Sequence, residues 1–128
     1  MTHEQSSLQI GIVDFADPTL LLIGEPYSIL RLADEIASRQ EFEIAVGQSQ
    51  VRLRFVPVVR GDDRLTRKDS EFVWYISAAK AQEVVEELRG LAASAVPAHA
   101  YLDPEQNLAD VEVVASIGEY KPEQMFPA

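Results

Sequence analysis

The sequence predicts an α+β fold: a single, mostly antiparallel sheet with two helices packed on one face. Three features carry that expectation. Short apolar runs with period-two alternation recur along the chain, two longer segments bear the stripe of an amphipathic helix, and each helical segment follows one strand directly and leads into another. One sheet covered on one face is the simplest arrangement that buries both helical stripes. With 128 residues, 47% hydrophobic and 25% charged, the chain has the size and composition of one globular domain with its own core. No boundary divides it; residues 1–6 and 121–128 read as loosely held tails.

The elements follow in order. Leu8, Ile10 and Ile12 alternate with Gln9, Gly11 and Val13, a first strand ending near Asp14. Asp17-Pro18 signals a turn, because the residue before proline avoids helical geometry. Thr19 to Ile23 is short and continuously apolar, as a buried strand is. Gly24-Glu25-Pro26 opens a helix, with Pro26 in the first turn, where its missing N–H costs nothing. Ile29, Leu32, Ala33, Ile36 and Ala37 form the buried stripe, and Arg31, Asp34, Glu35 and Arg39 fall on the wet side.

Phe42, Ile44 and Val46 alternate with Glu41 and Glu43 in a half-exposed strand, and Gly47-Gln48-Ser49-Gln50 reads as a hairpin turn. Val51, Leu53, Phe55 and Val59 then share one face of a long strand, with Arg52, Arg54 and Arg60 on the other. Pro57 cannot donate to a ladder, so an edge position or a bulge is expected there. Gly61 to Ser70 reads as a long polar loop, and Phe72 to Ile76 as a central strand, apolar on both faces. Ser77 suits the N-cap of the second helix, whose stripe is Ala81, Val84, Val85, Leu88, Leu91 and Ala92. Pro97 lies beyond its end. His99 to Leu102 is a short strand, Asp103 to Asn107 a turn, and Val111 to Ile117 a last alternating strand.

The charge is strongly one-sided. Twenty-one acidic residues against 11 basic ones give a formal net charge of −10. Such a surface repels phosphate backbones, so nucleic acid is not an expected partner, whereas basic proteins are attracted. The balance is uneven. Arg52, Arg54, Arg60, Arg64, Arg67 and Lys68 outnumber Asp62, Asp63, Asp69 and Glu71, a local basic ribbon in an acidic chain. The chain has no cysteine, which excludes disulfides and thiolate metal sites and leans towards a reducing compartment. The first residues lack the layout of a signal peptide, and the apolar run Leu20 to Ile23 is far too short to span a bilayer. A cytoplasmic location without membrane attachment is therefore expected.

Few residues suggest chemistry. Period-two spacing places His99, Tyr101 and Asp103 on one side of a short strand, and a histidine beside a carboxylate can serve as a general base. A small hydrolase built on His99 and Asp103 is one alternative. The plainer reading is that these residues brace a turn. Asp14 with Asp17, and Asp62 with Asp63, could hold magnesium, but aspartates gather in turns for local reasons. Arg52, Arg54 and Arg60 are the most site-like charges; otherwise they pair with the chain's own carboxylates. A homodimer, with the ribbon set against the acidic remainder of a second copy, is a further alternative. There is no glycine-rich phosphate loop, nucleophile elbow or His-Glu-x-x-His, so neither catalysis, cofactor nor metal is expected.

Two segments together carry a resemblance. Leu20-Leu21-Leu22-Ile23-Gly24-Glu25-Pro26 with Leu30-Arg31-Leu32-Ala33 gives a strand, a Gly-x-Pro and a helix opening. His99-Ala100-Tyr101-Leu102-Asp103 with Val111-Glu112-Val113-Val114 is similar to a His-x-His-Leu-Asp ending followed by an apolar strand. The pairing resembles a small immunity-protein family of bacterial polymorphic toxin systems. Tyr101 stands where that family often has a second histidine, and residues 42–96 form a longer middle than its compact members have. The resemblance implies a protein that binds and silences a toxin, a basic one given the charge, with His99 and Asp103 as candidate contacts. His99, Tyr101, Asp103, Arg52, Arg54 and Arg60 are thus the candidate partner-binding residues.

Overall fold

The apolar runs pair into two sheets in the computed structural model, which describes residues 8–45, 50–59 and 62–125. In chain order the elements are β1 (Gln9–Asp14), β2 (Pro18–Ile23), α1 (Pro26–Ala37), β3 (Phe42–Ile44), β4 (Arg52–Val58) and β5 (Arg64–Lys68). There follow β6 (Glu71–Ser77), α2 (Ala78–Ala92), β7 (Ala98–Tyr101), β8 (Gln106–Asn107), β9 (Glu112–Ile117) and α3 (Pro122–Met125). The first sheet has the order β1-β2-β9-β7 and the second β3-β4-β6-β5-β8.

This corrects the expectation of a single, mostly antiparallel sheet with both helices on one face. Both sheets are mixed. The first has one parallel pair, β2 with β9, and the second has two, β4 with β6 and β5 with β8; the remaining pairs are antiparallel. The physical reason lies in the connections: β2-α1-β3 leaves the first sheet and delivers the chain to the second, and β6-α2-β7 makes the return. Alternation tells which side of a strand is buried but not which strand lies beside it. The helices pack on each other, and α2 also contacts β6 in one sheet and β7 and β9 in the other. Leu20, Leu22 and Ala115 of the first sheet, Phe55 and Trp74 of the second, and Ile29, Ile36, Val84 and Leu88 of the helices form one continuous core.

Smaller differences have local causes. The expected loop at Gly61 to Ser70 instead contains β5, a hairpin partner of β6 closed by Asp69-Ser70, with Asp69 in the left-handed region at φ 58°. Its alternation was masked by charge: only Leu65 faces the core, in register with Trp74. Gln106 and Asn107, read as part of a turn, run parallel to Arg64 and Leu65. Pro57 lies beyond the reach of β3, whose pairing stops at Phe55, so that end of β4 has β6 alone beside it. The hairpin turn expected at Gly47 to Gln50 falls, except for Gln50, outside the described residues. Ser77 caps α2 as its chemistry suggests, its Oγ accepting from the Lys80 amide at 3.2 Å, and the helix runs through Gly90 to Ala92.

Two polar side chains tie these elements together. Asp63 is buried, and its Oδ1 accepts from Trp74 Nε1 at 3.0 Å and the Ser77 amide at 3.1 Å. Its Oδ2 accepts from the Glu105 amide at 2.8 Å, so one carboxylate joins the start of β5, the end of β6 and the approach to β8. Arg39, just past α1 at φ 59°, donates to the carbonyls of Ile76, Ser77 and Val58. Its guanidinium thereby closes the C-terminal ends of the parallel pair β4 and β6, where carbonyls would otherwise lack donors.

Candidate partner-binding face

The two sheets have very different outer faces. On the first, register sets three rows: Val13–Thr19–Glu112, Gly11–Leu21–Val114–Tyr101, and Gln9–Ile23–Ser116–His99. Val13, Leu21, Ile23 and Val114 form a second, smaller apolar cluster, and Tyr120 and Met125 pack onto it from the chain beyond β9. The turn at Gly118 folds that segment back. Its φ of +72° favours glycine, and a Cβ there would meet Pro97 at 3.4 Å.

Folding back brings Glu119 over the His99–Ser116 row. The carboxylate lies 2.9 Å from His99 Nδ1 and accepts from Ser116 Oγ at 2.7 Å. Burial pushes the Glu119 carboxyl up, but the bonds from His99 and Ser116 outweigh it and hold its pKa below the ordinary value. An ionised carboxylate only accepts, so His99 meets it through a protonated Nδ1. The Tyr101 ring stands edge-on to His99, with centroids 5.4 Å apart.

Beside this pair lies a groove of about 340 Å³ lined by Phe15, Ala16, Asp17, Thr19, His99, Tyr101, Glu112, Val114 and Tyr120. Phe15, in the turn between β1 and β2, contacts Tyr120 at 5.7 Å between ring centroids. Tyr101 is 52% exposed and Phe15 42%, so both rings offer apolar surface to a visitor. Asp17 and Glu112 are exposed carboxylates, and among the described residues no lysine or arginine belongs to the lining.

His99 and Tyr101 therefore share one face, as period-two spacing predicts. Asp103 does not line the groove. It lies exposed past the end of β7, and its charge is felt at Glu87 of α2, whose pKa is raised by burial first and by Asp103 second. The carboxylate that meets His99 is Glu119 instead. Sequence reading also missed Phe15, Glu112 and Tyr120. The signal for the two rings was an aromatic set in each of two turns, Phe15 between Asp14 and Asp17 and Tyr120 after Gly118; Glu112, at the start of β9, had none.

The second sheet's outer face carries the basic ribbon, divided by register. Arg52, Arg54, Arg64 and Lys68 share that side with Glu43 and Glu71, whereas Arg67 points to the opposite side, over Phe72 at 5.0 Å. Arg54 pairs with Glu41 at 3.0 Å, and that bond and charge hold its guanidinium above the ordinary pKa. Arg52 sits in register with Glu71, which is itself opposite Lys68. Arg64 lies 4.1 Å over the Tyr75 ring. Arg60 is outside the described residues. Arg54, Arg64 and Arg67 are thus engaged by the chain's own groups.

Among the described residues, no three histidine or carboxylate side chains converge as a metal site, and no helix is long and apolar enough to cross a membrane. A comparison of the chain with known protein families, curated proteins and solved structures finds no match.

Proposed function

We propose that the protein is a binding protein, of the immunity or antitoxin type, that holds a basic protein partner on the outer face of its first sheet and so silences it. The observation that carries this reading is the groove between Phe15, Tyr120, His99 and Tyr101. It gathers exposed aromatic rings around two carboxylates with no lysine or arginine beside them in the lining among the described residues. Tyrosines are strong interface anchors, since they bring large contact area at small entropic cost. The net charge of −10 adds long-range attraction for a basic molecule. The resemblance of Leu20–Pro26 and His99–Asp103 to immunity proteins of toxin systems points the same way, and a cytoplasmic site of action fits a cysteine-free chain.

The test is recovery of partners from extract of the producing cells on the immobilised protein, followed by reconstitution with the purified partner. The expected result is a basic protein, released by high salt because charge complementarity is screened. Expressed alone it should be toxic, and co-expression with this chain should relieve the toxicity. Recovery of no basic partner, or a partner whose toxicity is not relieved, overturns the reading.

A further inference from the structure

We propose that the groove seats an arginine side chain of that partner, which would make it the anchor pocket of the interface. This rests on the reading of the face as the partner-binding surface and names what enters it. The lining decides between classes of visitor. An aliphatic side chain would satisfy Phe15, Tyr101 and Tyr120 but would strip water from Asp17 and Glu112 without replacing it, which is unfavourable for charged groups. An acidic side chain would be repelled by both carboxylates. A cation meets both halves of the lining, because aromatic faces attract positive charge and the carboxylates neutralise it.

Arginine fits better than lysine for two reasons. Its planar guanidinium stacks on a ring and still presents donors at its edge to a carboxylate, whereas a lysine ammonium is compact and strongly hydrated. The protein already uses this pairing elsewhere, with Arg64 lying over the Tyr75 ring at 4.1 Å. His99 sets one wall of the groove. Glu119 bonds its Nδ1, so the ring keeps its position.

The probes are N-acetylarginine methylamide and its citrulline, lysine and leucine counterparts, titrated into the full chain while NMR follows the rings of Phe15, Tyr101 and Tyr120. The arginine amide is expected to shift these rings saturably. Citrulline, the same shape without the charge, should bind at least about threefold more weakly, the ratio that a modest cation–π and charge contribution gives. The double variant Asp17→Asn, Glu112→Gln should lose the difference between arginine and citrulline, with an unchanged Trp74 fluorescence spectrum showing that it is folded. Citrulline or leucine equal to arginine, or shifts confined to the carboxylates of α2, would overturn the inference. A lysine amide as tight as arginine would overturn the choice of arginine. The purified partner separates this from the broader reading. If it binds the double variant and Tyr101→Ala as tightly as the unaltered chain, the pocket is wrong while the binding function stands. If no basic partner exists, the function itself falls.

Discussion

Replacing Asp63 with alanine would leave the buried indole N–H of Trp74 and the part-buried amides of Ser77 and Glu105 without their acceptor. An orphaned buried donor costs about 1–3 kcal/mol, so Asp63→Ala should lower unfolding free energy by roughly 3 kcal/mol in urea denaturation. Trp74→Phe in that background should cost less than in the parent, since the indole N–H has already lost its partner. Glu119 gives a pH-dependent counterpart. Folding lowers its pKa below 4.5, so the ionised form favours the folded state. That contribution is complete above the unfolded value and is lost as pH falls through the folded one. Glu87, raised by burial and by Asp103, works in the opposite sense. As pH falls below about 4.5, stability should therefore drop less steeply in Glu119→Gln than in the parent, and Glu87→Gln should not share that effect. Of these residues the sequence exposed little. Period two placed His99 and Tyr101 correctly, but Glu119 reaches His99 only through the register of β7 on β9 and the turn at Gly118. Asp103 does not join them because it lies two residues past the end of β7, beyond the residues paired with β9.

At the scale of elements, local rules worked where the element is decided locally. Pro26 begins α1 and Ser77 caps α2, and both buried stripes follow the helical period. They failed for β5 and β8, because a strand with one core residue among five, or of two residues, exists through its neighbours rather than its own pattern. The two helices also differ at their starts. The N-cap of α1 is Glu25, in extended geometry with no side-chain bond to the first turn. A shorter acceptor belongs there, so Glu25→Ser or Glu25→Asp should raise stability by about 0.5–1 kcal/mol, seen as a higher denaturation midpoint at unchanged m. A decrease would mean that Glu25 has another task.

For the whole molecule, two sheets suggest two units, yet Ile29, Val84 and Leu88 sit in the same cluster as Leu22 and Phe55. Neither sheet can shed its inner face from the helices without exposing the other. Unfolding should therefore be a single transition, with Trp74 fluorescence reporting the second sheet and the ring signals of Tyr101 and Tyr120 the first. Curves that separate would show that the sheets melt independently. The single-sheet expectation failed at this scale, because strand pairing across long stretches of chain leaves no trace in periodicity.

The position of β9 carries one more consequence, for the ribosome rather than the test tube. This strand enters the first sheet between β2 and β7, so both of its neighbours are translated before it. At about 5–20 residues per second, the β1–β2 hairpin waits several seconds with the far edge of β2 unpaired. An unpaired, apolar edge is the kind of surface on which neighbouring nascent chains associate. The first sheet can therefore close only after translation has passed Ile117, and until then the emerging chain is a natural client for a chaperone that shields strand edges.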